Sequence, residues 1–215
     1  MIITSKVISI AIIVVAILLG LIVYYVMSGL PKAQKRKHLD ELVSQLINFV
    51  IYIWVGKILL NLSLFFSDPM AVLAYPSNAE SFYIAVLLSG ITIAIQAYRK
   101  KLEALPLLIA FTEVFLISSF LYEFIQLIWE DNSFALGYTI LSGILIVIYY
   151  WLREKITIHY NLMLMLTVWS IGMMVLALTQ PFVTLFGYLM KPWFITVFYA
   201  VTFTILLLQR RKRDS

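Results

Sequence analysis

The chain has 215 residues, of which 63% are hydrophobic and 13% charged, with a mean hydropathy of +0.98 and a net charge of +5. A water-soluble domain of this size cannot hide that much apolar surface, so the bilayer is the expected solvent. The absence of cysteine excludes disulfides, thiolate nucleophiles and cysteine-ligated metals, and two histidines (His38 and His159) leave little for a metal centre.

Seven stretches are long and apolar enough to cross about 30 Å of hydrocarbon. They fall near residues 7–30, 42–66, 82–98, 105–129, 134–152, 160–180 and 189–208. The first is longer than a signal-peptide core and has no small-residue cleavage site after it, so it reads as a retained span. Span 2 is followed by the longest outer loop, SDPMAVLAYPSNAE (67–80). Pro181, Gly187 and Pro192 interrupt the region before the last span, where a re-entrant piece would fit. Aromatic residues stand near the span ends: Tyr24, Tyr25, Tyr98, Trp129, Tyr149, Tyr150, Trp151 and Trp193. Their expected place is the membrane interface.

Charge orients the spans. Thirteen of the sixteen basic residues fall in the turn PKAQKRKHLDE, in YRKKLEA, in LREK and in the tail QRRKRDS, all on one side of the expected membrane. Lys6 and Lys191 fall on the other side, with Asp68, Glu80, Glu130 and Asp131. The positive-inside rule places the N-terminus outside and the C-terminus in the cytoplasm. The basic residues thus read as membrane anchors, and nucleic acid is not an expected partner.

Three charged residues lie within spans: Lys57, Glu113 and Glu123. A charge there costs about 2.5–3.5 kcal/mol or more at the bilayer centre, so each should face protein or water. Lys57 is about 13 Å from the outer end of span 2, and Glu123 about 9 Å from the outer end of span 4, by helix rise. Their depths allow a buried Lys57–Glu123 ion pair; Glu113 lies nearer the inner side. Thr112, Ser119, Glu123 and Gln126 share one helical face, with Tyr122 beside it. Lys57, Ser119, Glu123 and Gln126 would therefore form either a structural polar contact or a lipid-binding polar cavity. No phosphate loop, metal-ligand spacing or nucleophile elbow is present. Hence no metal or cofactor is expected.

The layout resembles that of the bacterial prolipoprotein diacylglyceryl transferases, seven-span enzymes of the bacterial cell membrane. The likeness rests on HLDELVSQL after the basic turn, WVGKILL in span 2, the outer Asp-Pro, and LREK followed by NLMLMLTVWSIGMM. It implies an all-α integral membrane fold with a lateral cleft for phospholipid, phosphatidylglycerol in the family. The family's catalytic signatures are replaced. Tyr83 stands where a histidine is expected, ISSFLYEF replaces a Gly-Arg-x-Gly-Asn motif, and Met173 and Ala177 replace an arginine and a glutamate. Holding a phosphate calls for cationic groups, arginine above all.

The leading expectation is therefore a non-catalytic membrane protein that binds a phospholipid or a partner membrane protein. A second is a lipid-modifying enzyme with relocated groups: Glu123 as acid or base, Tyr83 or Tyr122 as proton donor, and Lys57 as phosphate anchor. A third is a small transporter or channel along Lys57, Glu113 and Glu123, which would need a continuous polar route.

Overall fold

A computed structural model describes residues 2–74 and 77–214, with side chains described for residues 8–74 and 77–208. Lys6 and the basic tail from Gln209 onward thus lie outside the described side chains, and Tyr75 and Pro76 of the outer loop outside the described residues. The helices are α1 Ile2–Met27, α2 Lys32–Leu60, α3 Leu62–Ser67, α4 Pro69–Ala74, α5 Ala79–Tyr98, α6 Ala104–Trp129, α7 Ala135–Leu152, α8 Ile158–Thr179 and α9 Pro192–Asp214. Strands β1 (Thr184–Leu185) and β2 (Tyr188–Leu189) form an antiparallel hairpin between α8 and α9. Among the described residues, α1 from Ile8, α2, α5, α6, α7 and α8 are long and apolar enough to cross a membrane, and α9 contributes the shorter apolar stretch Pro192–Leu208.

Helix α7 shows why water is the wrong solvent. Leu136, Ile140, Ile144, Val147 and Trp151 form its exposed stripe, whereas Tyr138, Thr139, Ser142 and Tyr149 are buried. A helix in water turns its apolar face inward. Here polar groups face protein and apolar groups face out, as hydrocarbon demands. The chain is a multi-pass membrane protein.

It divides into two compact units, Ser28–Phe111 and Met1–Met27 with Thr112–Ser215. In the first, α2 and α5 pack antiparallel. Gln45 Nε2 donates to Gln96 Oε1 at 2.9 Å, Tyr52 and Thr92 hydroxyls meet at 2.7 Å, and Phe49 meets Phe82 edge-on at 5.4 Å. Gly56 permits the close approach: a Cβ there would fall 2.9 Å from Ser81 O. Asn78 caps α5, its Oδ1 accepting from Ser81 N at 3.0 Å, and Glu80 in the first turn complements the helix dipole.

Two expectations in this unit are corrected. The basic stretch after Pro31 is not a turn but the start of α2, with Arg36–Asp40 and Lys37–Glu41 pairs one turn apart. The second span's helix is not continuous to residue 66: α2 ends at Leu60 and α3 begins at Leu62. Asn61 leaves the helical conformation, and its Nδ2 donates back to Lys57 O at 2.9 Å. Part of the 67–80 loop is itself helical: Pro69 opens α4, and Asp68 Oδ1 accepts from Ala71 N at 3.0 Å.

In the second unit, α6, α7 and α8 surround a core of Leu116, Leu145, Tyr149 and Met165. Antiparallel α7 and α8 are tied at one end by Gln180 Nε2 donating to Phe134 O (3.0 Å) and at the other by Asn161 Nδ2 donating to Tyr149 O (3.2 Å). Helix α9 runs back along α8, with Trp169 against Phe198 at 6.2 Å. Met163, Met165 and Met173 are buried packing residues.

The hairpin stands where a re-entrant piece was expected. Phe186 (φ 48°) and Gly187 (φ 81°) form its turn, and positive φ at both central residues gives the strand twist a hairpin needs. Glycine takes this freely; a phenylalanine is strained there. The Phe186 ring is held against Tyr122 at 5.4 Å and Phe115 at 6.2 Å.

Candidate functional site

The second unit holds two buried polar groups, about three turns apart along α6. The first surrounds Glu113, whose side chain is fully buried. Arg153 Nη1, just past the end of α7, lies 3.1 Å from Glu113 Oε1, and the Tyr149 hydroxyl donates to the same oxygen at 3.1 Å. Tyr24 of α1 and Tyr150 lie within electrostatic range of Glu113 and Arg153. Tyr24 and Tyr149 are buried in protein, at 1% and 0% exposure, whereas Tyr25, Tyr98, Trp129, Trp151 and Trp193 sit on the surface. A buried carboxyl needs donors, and the Tyr149 hydroxyl supplies one. His159 is buried as well.

The second group surrounds Glu123, about 15 Å away along α6 by helix rise. Glu123 is 6% exposed, and among the described residues of its unit no hydrogen bond or ion pair reaches its carboxyl. It lines a small, partly open cavity of about 20 Å³ with Ser119, Tyr138, Ser142 and Thr184, among apolar walls that include Phe115 and Trp169. The hairpin forms one wall. Tyr138 fixes it there, its hydroxyl donating to Phe182 O at 3.4 Å and accepting from Thr184 N at 3.1 Å. Ser142 Oγ donates to Tyr138 O at 2.7 Å, which leaves its lone pairs available. Ser119 Oγ is buried without a hydrogen-bond partner. Among the described residues lining the cavity, none is basic. Leu116, Leu145 and Met165 lie between the Glu113 and Glu123 groups, so within this unit the two are separated by apolar core.

Of the residues named from sequence, Ser119 and Glu123 come together in the cavity. Gln126 is buried one turn further along α6, and Tyr122 packs on the hairpin turn. Tyr83 and Lys57 belong to the other unit. Tyr83 is buried against Phe82 at 6.4 Å. Lys57 is 6% exposed, and its Nζ donates to Leu73 O at 2.9 Å, in the last turn of α4. An ammonium at the carbonyl end of a helix is electrostatically favourable.

Sequence reasoning missed Arg153, Tyr138, Ser142 and Asn161. Tyr138 and Ser142 are four apart on one face of span 5, the same signal that picked out Ser119 and Glu123. Arg153 was counted only as an anchor, yet it follows Tyr149 by one helical turn. No protein-family description, curated protein or solved structure matches the chain.

Proposed function

We propose that this chain is a non-catalytic binding protein of a bacterial cell membrane, crossing it seven times with the N-terminus outside and the C-terminus in the cytoplasm. Its ligand is a membrane-lipid headgroup, taken into the Glu123 cavity from the outer leaflet. The observation that carries this is the Glu123 carboxyl, buried and without a partner among the described residues of its unit, on the wall of a cavity that is also lined by Ser119, whose hydroxyl is buried and unpartnered. Leaving such groups unmatched costs about 1–3 kcal/mol each, more for a charge, and a bound ligand offsets that cost. The transferase resemblance enters only through span layout, and the wall chemistry supports binding over turnover: with no basic side chain on it, phosphate has no fixed counter-charge to develop against.

Thermal unfolding of the purified chain in detergent tests this. Added bacterial lipid should raise the melting temperature of the native chain, and should do so less for Glu123→Gln. A lipid shift of the same size in both would sink the binding role.

A further inference from the structure

We infer that the Glu123 cavity takes the primary ammonium group of an aminophospholipid headgroup, an assignment that rests on the binding role proposed above. Three residues with acceptor oxygens line the cavity. Glu123 contributes a carboxyl with no partner among the described residues of its unit, Ser119 a buried and unpartnered Oγ, and Ser142 an Oγ whose hydrogen is already given to Tyr138 O. A primary ammonium has three N–H donors and one positive charge, which matches three acceptors of which one is anionic. The aromatic walls agree: Phe115 and Trp169, edge-to-face at 5.9 Å, line the same space, and ring faces attract cations.

Size sharpens the choice. The cavity, about 20 Å³, admits only about one water-sized group. An –NH₃⁺ group fits that space; a trimethylammonium group, with three added methyls, does not. The source is a lipid rather than a free amine. Glu123 lies about 9 Å from the end of α6 by helix rise, close to one interface, and the outer face of α7 beside the cavity is the apolar stripe from Leu136 to Trp151, which faces lipid tails.

Native mass spectrometry of the full chain in mild detergent tests this. Phosphatidylethanolamine, phosphatidylcholine and phosphatidylglycerol are offered at equal concentration, with ethylammonium in a separate arm. The expected result is about tenfold or greater retention of phosphatidylethanolamine over phosphatidylcholine. Glu123→Gln should abolish that preference, and Ser119→Ala should weaken it. Both are near-isosteric, and an unchanged elution profile and melting temperature verify that each is folded. Equal retention of phosphatidylethanolamine and phosphatidylcholine, or a preference that survives Glu123→Gln, overturns the assignment. Ethylammonium bound with no aminophospholipid retained overturns the lipid source. A Glu123-dependent preference for phosphatidylglycerol overturns the ammonium and leaves the binding role standing. No Glu123-dependent lipid at all overturns both.

Discussion

The Arg153 guanidinium stands 3.1 Å from the buried Glu113 carboxyl and joins the end of α7 to the middle of α6. Its side chain is 28% exposed while that of Glu113 is fully buried. Removing the arginine therefore strands a charge in a low-dielectric site, where breaking a buried pair costs about 3–5 kcal/mol. We expect Arg153→Met to lose about 3 kcal/mol, the low end because the arginine still meets solvent. Tyr149→Phe should lose about 1–2 kcal/mol with the hydrogen bond to Oε1. Arg153→Met with Glu113→Met should recover most of the loss. Unfolding in detergent reads all three, and strict additivity of the double variant would show that the pair does not couple.

Lys57 makes a different prediction. Its ammonium holds the carbonyl of Leu73, so Lys57→Met should loosen α4 before it affects α2. Hydrogen exchange across residues 69–74 should rise, with a stability loss of about 1.5–3 kcal/mol for a charged hydrogen bond. The Lys57–Glu123 ion pair that the sequence allows gives the rival expectation, that Glu123→Gln in the same chain restores part of that loss. Additive losses would remove the pair and leave the carbonyl as the partner that matters.

Outside the spans, Lys37 Nζ donates to Glu103 Oε1 at 2.8 Å. That hydrogen bond, with the charge behind it, holds the Glu103 carboxyl below the usual range. A depressed folded pKa means the contribution is complete above the unfolded value of about 4.3 and is lost as pH falls through the folded value. An NMR titration should find Glu103 below the normal range in the native chain and back within it in Lys37→Ala. The pair is exposed, so roughly 0.5 M salt should shrink the difference. A Glu103 midpoint that ignores Lys37→Ala would refute the linkage.

The proposed orientation is testable with single thiols, because none is present naturally. Glu130→Cys should react with a membrane-impermeant maleimide in intact cells. Lys101→Cys should react only after permeabilisation. The reverse pattern would invert the topology, and reaction of both in intact cells would end the span assignment between them.

Membrane class was legible from the chain alone. Apolar stretches of span length and a one-sided run of basic residues follow from hydrocarbon thickness and charge, and neither depends on which helix meets which. The joint polar face of Ser119 and Glu123 was legible too, since helical spacing sets it. Three things were decided by tertiary structure. Arg153, rather than a residue within a span, neutralises Glu113, because partners at such separation meet only once α6 and α7 pack. Tyr149 turns inward and donates to Glu113, and Tyr24 is buried within electrostatic range of it. And the Phe186–Gly187 turn folds its hairpin onto Tyr122 and Tyr138, which walls off the space around Glu123. Composition and spacing fix how much polar chemistry a membrane chain carries; the packing of its helices decides which of it is satisfied and which is left open to a ligand.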